Sequence, residues 1–312
     1  MEMERLKGVS MILIGAIMWG ATGPLMEWVM NNYVVSVPFI ITLRLTVAGT
    51  FLLLFLKLKG VLITAIFRNK FWIRPLLIFS LFGMLGAQYS FVAAIEASNA
   101  VVATLMQFLA PVYIIVFVSI THKKLPPLYQ VIGMLGTLAG LFLLLTNGKP
   151  DQLIISAEAL FWGVLVGLAF TFYTLYPARL MQEWGVLLIV AWSMLFGGIF
   201  IGLVNPITFI NEFAILAVPA VSGSILGIII FGTAAFVLFL SSMRFITPVE
   251  TSILSSFEPL TAMVISMFWF GHILSPIQLG GALAMLVFVA WLSLAGNPKK
   301  KKKKSRVPQV IN

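Results

Sequence analysis

The stretch Thr247-Pro-Val-Glu-Thr-Ser-Ile-Leu-Ser-Ser-Phe-Glu258-Pro259, which runs on to Gln278-Leu-Gly-Gly281, has a counterpart 148 residues earlier in the chain. The counterpart is recognised by five pairs of positions that share this offset without any gap: Asn99 and Thr247, Pro111 and Pro259, Gln130 and Gln278, Gly133 and Gly281, and Gly49 and Gly197. Five coincidences at one offset predict two copies of a unit of about 150 residues.

The composition predicts that the chain lies in lipid. Of its 312 residues, 61% are hydrophobic and only 10% are charged, and the mean hydropathy is +1.07. The absence of cysteine excludes disulfides and thiolate chemistry. The net charge of +10 lies beside apolar segments, so we interpret it as a determinant of membrane topology and expect no nucleic-acid partner. Residues 1–20 resemble a signal peptide without a small-residue cleavage site, which predicts an uncleaved first helix.

Ten apolar segments have the length that a helix needs to cross a bilayer. They lie near 8–26, 37–56, 72–94, 99–120, 126–146, 158–177, 186–204, 216–242, 248–270 and 275–296. With the N-terminus in the cytoplasm, all of the 20 Lys and Arg residues fall inside except Lys149, which is outside, and Arg44, which lies within a span. This agreement with the positive-inside rule predicts an all-α integral membrane protein of the plasma (inner) membrane with both termini cytoplasmic.

The offset and the spans together predict the domain organisation. A first five-helix repeat covers 1–146, an external linker 147–157, a second repeat 158–296 and a basic cytoplasmic tail 297–312. Five spans per repeat is an odd number, so the second repeat must have inverted topology, as in many secondary transporters. Thr247 and Asn99 are predicted as the helix caps of the ninth and fourth spans.

Glu258 is the strongest candidate for a functional residue. It lies about ten residues into the predicted span 248–270, where a charge costs at least ~3 kcal/mol. The alternative is a structural carboxylate that is protonated or paired. Pro259 follows it, as Pro111 does at the matching position, and each proline is expected to kink its helix. Arg44, also near mid-depth, is expected to bind a substrate carboxylate or to form a permanent ion pair with Glu258, and both hypotheses stay open.

Several polar and aromatic residues are also predicted near mid-depth. Gln88, Tyr89, Gln107 and Tyr173 face either the cavity of a bundle or a neighbouring helix. Trp19 lies more than half-way across its span, where an aromatic ring can line a substrate cavity. Glu27 is predicted at an outer span end that water reaches, and His272 in the outer connection between spans nine and ten.

The sequence contains no nucleotide-binding loop, no hydrolase or protease motif and no carboxylate-rich metal cluster. We therefore expect neither ATP-driven pumping by this chain alone nor a cofactor, and we expect that it is not an enzyme. The face formed by Gly133, Gly136 and Gly140 is expected to pack within the chain rather than to form a dimer, so the protein is predicted as a monomer or weak dimer.

The sequence resembles the EamA family of the drug/metabolite transporter superfamily over residues 8–296. The resemblance rests on Trp19-Gly20, Arg44, Pro111, Glu258-Pro259 and the two Gln-x-x-Gly motifs at 130–133 and 278–281. It implies ten spans, a cavity lined by spans one to four and six to nine, and alternating access for small amphipathic metabolites. Lys124 and His272 stand where many members have glutamate, so a role of those glutamates does not transfer.

These observations lead to one main hypothesis and two alternatives. The main hypothesis is a secondary active or facilitative transporter of a small amphipathic metabolite, most readily an amino acid that is exported. Glu258 would take a proton or bind an ammonium group. The alternatives are a flippase for lipid-linked sugars and a non-transporting membrane subunit or scaffold.

Overall fold

The computed structural model describes residues 2–149, 155–242, 245–246, 251, 254–255 and 257–295, and these residues contain helices and no strand. The helical segments are α1 (Glu2–Asn32), α2 (Val37–Leu58), α3 (Lys70–Ala97), α4 (Ala100–His122), α5 (Leu128–Thr146), α6 (Ala157–Leu175), α7 (Val186–Val204), α8 (Pro219–Ser242), α9 (Phe257–Phe270) and α10 (Pro276–Ala295). Two short helices, Ala178–Trp184 and Pro206–Phe213, lie in connections.

Eight of the helices, α1 to α8, are long and apolar enough to cross a membrane. Within the described part of the chain, α9 and α10 are apolar but shorter. The predicted start of the ninth span at Pro248, with Thr247 as its cap, lies outside the described residues. The described part of the chain is therefore helical and has the composition of a membrane protein.

The fourth helix begins where the sequence predicts. Asn99 is its cap, because the Asn99 side chain accepts a hydrogen bond of 2.9 Å from the Val102 N–H. Only Ser98 and Asn99 separate α4 from the end of α3 at Ala97. Comparable serine caps start two other helices, since Ser36 accepts from Phe39 N–H before α2 and Ser156 accepts from Ala159 N–H before α6.

Helices of one half pack on helices of the other half in a pattern that follows the 148-residue offset. Helix α2 packs on α7, α5 on α10 and α4 on α9, and each of these pairs joins two corresponding helices. Helix α1 packs on α8, and the corresponding pair, α6 and α3, is also in contact. If each helix is replaced by its counterpart in the other half, the same set of helix contacts results.

Helices α2 and α7 cross in opposite directions through small residues. A Cβ atom added to Gly49 would lie 2.6 Å from the Leu195 nitrogen, and one on Gly198 would lie 2.6 Å from the Thr46 nitrogen. Residues later in α2 thus meet residues earlier in α7. Both glycines are needed because any side chain would meet backbone, which cannot move aside cheaply.

Helices α5 and α10 form a second antiparallel pair. Gly133 faces Leu292, Gly136 faces Phe288, and a Cβ on Gly140 would lie 2.6 Å from the Gly281 carbonyl oxygen. The glycine face of α5 is therefore covered by α10 of the same chain, and this packing allows the close backbone approach that small residues permit in membrane helices.

Candidate functional site

Glu258 lies at the beginning of α9. The helix starts at Phe257, Glu258 is in its first turn, and the Glu258 N–H donates a 2.9 Å hydrogen bond to the Ser255 carbonyl oxygen. Most of the predicted span before Glu258, residues 248–256, lies outside the described residues, so the depth of Glu258 within that span stays a prediction. Pro259 is buried in the same first turn, where a missing N–H leaves no intrahelical bond unmade. A carboxylate in this position is favoured by the positive end of the helix dipole.

The matching position of the first half is also a helix start. Within α4, the segment Ala100–Gln107 ends, Phe108 and Leu109 form a turn, and the helix resumes as Ala110–His122 with Pro111 in its first turn. The offset relates Ala110 to Glu258 and Pro111 to Pro259. Each half therefore starts a helix at its proline, and interrupted helices of this kind build many transporter binding sites.

Helix α1 approaches the start of α9 through Gly20. A Cβ atom on Gly20 would collide with the Glu258 carbonyl oxygen and would lie 2.7 Å from the Thr261 Cβ. The preceding residue, Trp19, is half-buried against α8, with ring centroids 6.1 Å from Phe236 and 5.6 Å from Phe239. The Trp19-Gly20 pair thus places an aromatic ring on one side of α1 and the Glu258 backbone on the other.

Arg44 is buried in α2, and its guanidinium does not make all of its hydrogen bonds within the described residues. Its side chain is 8% exposed, and its Nη1 atom has no hydrogen-bond partner among the described residues. Its Nη2 atom lies 3.1 Å from the position that a Cβ on Gly232 of α8 would take. Space for the guanidinium therefore depends on a glycine that sequence reasoning did not single out.

Arg44 and Glu258 are not in direct contact. In the part of the chain that the structure describes, no Lys, Arg or His nitrogen lies within 4.0 Å of the Glu258 carboxylate. A direct ion pair, which was one of the two hypotheses for Arg44, is thus absent between these two side chains. Two opposite charges that do not pair with each other can each bind a complementary group of a ligand.

Tyr89 lines an open cleft of about 260 Å³ between α3, α6 and α7. Its ring centroid lies 5.7 Å from that of Trp162 on α6, and Gln88 beside it is half-buried. Trp162 was not predicted, although an aromatic residue five positions into a span is a signal that could have been used. The π-helical segment Phe79–Leu85 precedes Tyr89 in α3, and such segments often occur at functional sites.

Tyr173 lies apart from Tyr89. It packs on Phe79 and Phe170, with centroid distances of 5.4 and 5.5 Å, in a second apolar cluster. Since Trp162 and Tyr173 are 11 residues apart on α6, they are separated by ~16 Å along the helix axis. Gln107 is half-buried at the end of the first segment of α4. The predicted polar residues therefore do not share a single cavity wall.

Glu27 is buried, so its predicted exposure to water is wrong. Its side chain is 4% exposed, and its Oε1 atom lies 3.5 Å from His272 Nδ1. The Glu27 Oε2 atom accepts a 2.8 Å hydrogen bond from the Ala100 N–H at the start of α4. Next to this contact is a cavity of about 290 Å³, lined by residues of connections and helix ends that include Ser98, Val102, Ser156, His272 and Gln278. The described residues contain no group of three or more His, Cys, Asp or Glu that could hold a metal ion.

Comparison with known proteins now adds to this geometry. The EamA-like transporter family matches residues 6–146 and again residues 157–294. The chain belongs to the EamA-like transporter family. The uncharacterised inner membrane transporter YicL of Salmonella typhimurium is 36% identical over 293 residues, which cover 92% of this chain and 95% of that protein. The uncharacterised transporter YwfM of Bacillus subtilis is 26% identical over 93% of this chain and 94% of that one.

A crystal structure of a protein with 16% sequence identity superposes on this EamA-like chain with a TM-score of 0.57, over 94% of this chain and 97% of the other. At this identity the likeness concerns the fold alone. The two family matches and the apolar helices identify a multi-pass membrane transporter of the EamA family.

Proposed function

We propose that this EamA-like protein is a secondary active or facilitative transporter that exports a small zwitterionic metabolite, an amino acid, by alternating access. The observation that carries the proposal is the buried Arg44, whose Nη1 has no hydrogen-bond partner among the described residues. The Glu258 carboxylate is a second charged group, with no Lys, Arg or His nitrogen within 4.0 Å in that part of the chain. A zwitterion offers a carboxylate to the first and an ammonium group to the second. Buried polar groups left unsatisfied are unfavourable unless a ligand completes them.

We further propose ten membrane spans in two inverted repeats, 1–146 and 158–296, joined by an external linker at 147–157. The antiparallel crossing of α2 with α7 supports inversion, because these helices hold the same place in the two halves. The crossing of α5 with α10 supports it in the same way. The distribution of Lys and Arg supports cytoplasmic termini in the inner membrane, with a basic tail at 297–312.

The roles of the individual residues follow from this arrangement. Arg44 would hold the substrate carboxylate, and Glu258 would bind the ammonium group or a proton. Trp19 would contact the substrate from α1, while Gln88, Tyr89 and Gln107 would line its path, and Tyr173 would close the packing at the other end of α6. Pro111 and Pro259 would fix the two helix starts. Protonation of Glu258 supplies the differential affinity that two access states require.

The first experiment is a thermal-shift screen of amino acids, amines and nucleosides on protein purified in detergent. A ligand that binds the folded state raises its apparent stability by RT ln(1 + [L]/Kd), about 2.7 kcal/mol at a concentration of 100 Kd. We expect shifts from amino acids with both charges free. Their methyl esters and N-acetyl derivatives should give no shift, since each lacks one of the two charges.

The second experiment measures flux in proteoliposomes and distinguishes the alternatives. A transporter should move the amino acid that gave the thermal shift. Movement of a lipid-linked sugar instead would identify a flippase, and the absence of any flux with intact binding would indicate a non-transporting subunit. Either of these two results would refute the proposed function.

A further inference from the structure

Glu27 joins three elements at one end of the bundle. It belongs to α1, its Oε2 accepts from the Ala100 N–H at the start of α4, and its Oε1 is 3.5 Å from His272 in the connection between α9 and α10. One of these elements, α1, carries Gly20 of the candidate site, and the connection directly follows α9, which carries Glu258. A movement of the connection at His272 would therefore also act on the helices around Glu258.

The two partners differ in their access to water. Glu27 is 4% exposed, whereas His272 is 37% exposed, so a proton from solution can reach the imidazole while the carboxylate stays buried. Histidine is the side chain whose charge ordinarily changes between pH 5 and 8. When His272 is protonated it attracts the Glu27 carboxylate, and when it is neutral this attraction is lost.

Other charged groups near this end do not replace His272 as the partner of Glu27. Glu96 of α3, Glu158 of α6 and Lys149, which follows α5 two residues after the Asn147 that bonds to Ser275, are the other charged groups at this end. Among the described residues, the charged group within 4.0 Å of the Glu27 carboxylate is His272. Residues 219–242 of α8 and 276–295 of α10 contain no ionisable side chain. Helix α4 has none before Tyr113, and the only carboxylate of α9, Glu258, is fourteen residues from His272 in sequence.

We propose that Glu27 and His272 form a proton-binding site that controls access to this end of the bundle. With His272 protonated, the pair draws the α9–α10 connection onto α1 and α4 and covers the adjacent cavity of about 290 Å³. With His272 neutral, the connection is released and the cavity admits water. The site is separate from Glu258, and its operation does not depend on which substrate the protein carries.

The test uses a single cysteine as a reporter, which is possible because the chain has no native cysteine. Val102→Cys places the thiol in the cavity lining, and Asn69→Cys places one at an exposed position in the connection between α2 and α3. Labelling by a maleimide is measured at pH 6 and pH 8 in detergent, where both faces of the protein are accessible. At each pH, the labelling rate of Val102→Cys is divided by that of Asn69→Cys, which corrects for the general pH dependence of thiol labelling. The resulting ratio is independent of membrane orientation and of transport.

Without any further substitution, this ratio of labelling rates should be roughly two- to fivefold lower at pH 6 than at pH 8, the range expected for one charge pair. His272→Gln should give a high ratio at both pH values, and His272→Lys, which carries a permanent charge, a low ratio at both. Glu27→Gln keeps an oxygen for the Ala100 N–H but removes the charge, so its ratio should also be high and independent of pH. Glu96→Gln is the matched control and should keep the original pH dependence.

The His272 variants decide the proposal even if Glu27→Gln fails to fold, because His272 lies in a connection rather than in a helix. A pH dependence that survives in His272→Gln would overturn the proposal. So would a high ratio in His272→Lys at pH 6. A failure of amino-acid transport with the expected labelling pattern would refute the proposed function and leave this site standing.

Discussion

The two helix starts, Ala110-Pro111 in α4 and Glu258-Pro259 in α9, share a backbone arrangement and differ in chemistry. Each proline lies in the first turn of a helix, and the two positions are related by the 148-residue offset. The first half places a methyl group at the helix start and the second half a carboxylate. The repeat therefore accounts for the architecture, while the proposed chemistry depends on single residues that break the repeat.

The far ends of the same two helices show a second difference. Lys124 after α4 is exposed to solvent, whereas His272 at the corresponding position after α9 lies against the buried Glu27. The ends of α4 and α9 therefore differ in chemistry, as their starts do. Variants at matched positions can test whether these differences carry the function.

The largest effect is expected for the orientation of the two halves. Asn69→Cys and Ala217→Cys lie at corresponding exposed positions, one between α2 and α3 and one between α7 and α8. If the repeats are inverted, an impermeant maleimide added to intact cells should label Ala217→Cys and leave Asn69→Cys unlabelled until the membrane is broken. Labelling of both from the same side would exclude inversion.

The packing of α1 on α9 should tolerate substitution less than the packing of α6 on α4. A Cβ on Gly20 meets the Glu258 backbone, whereas a Cβ on Gly167 first meets the Tyr113 ring at 2.6 Å. Gly20→Ala should lower the free energy of unfolding by about 1–3 kcal/mol, the usual cost of overpacking. Gly167→Ala should cost less because a ring can rotate. Equal losses in denaturant titrations would contradict this asymmetry.

Arg44 distinguishes a binding site from a fixed ion pair. Removal of one member of a buried pair costs ~3–5 kcal/mol, but Arg44 and Glu258 are not in direct contact. Arg44→Gln should therefore change stability by less than about 1 kcal/mol, since no direct pair is broken. It should weaken amino-acid binding by ~10- to 150-fold, the value of one charged hydrogen bond. Arg44→Lys should bind with intermediate affinity, and a strongly lowered melting temperature in Arg44→Gln would favour the ion pair.

A smaller effect is expected at the two tyrosines. Tyr89 faces the cleft between α3, α6 and α7, and Tyr173 is packed against aromatic rings. Tyr89→Phe should raise the KM for flux about two- to tenfold if its hydroxyl contacts the substrate, as one neutral hydrogen bond predicts. Tyr173→Phe should leave KM unchanged. The reverse order would move the substrate path to the Tyr173 side of α6.

The sequence predicts much of the fold because hydrophobic length and local capping are encoded locally. The spans, the tight turn before α4 and the Asn99 cap depend on residues that are close together in the chain. The interruption at Phe108 and Leu109 is weaker in the sequence, because Pro111 is compatible with either a kink or a new helix start. The repeat further indicated which helices correspond, and the packing of α2 on α7 and α5 on α10 follows that correspondence.

The candidate site could be predicted only in part. Glu258 and Arg44 stand out because a charge in an apolar span is costly. Their separation, and the space that Gly232 leaves for the guanidinium, depend on how distant helices pack. The burial of Glu27 also depends on packing, since its partners Ala100 and His272 are far from it in sequence. Position along a span therefore predicts depth but not neighbours.

The role of Glu258 in proton coupling can be tested by measuring flux through Glu258→Gln in proteoliposomes, with and without an imposed pH difference. Glutamine keeps the size and hydrogen bonding of the side chain but cannot titrate. Glu96→Gln, which removes a carboxylate at a helix end, is the control, and melting temperatures of all three proteins confirm folding. We predict that Glu258→Gln folds and binds substrate more weakly, because it lacks the charge that meets the ammonium group, and that its remaining flux no longer responds to the pH difference, as the control still does. A well-folded Glu258→Gln whose flux keeps its full response to the pH difference would contradict this prediction.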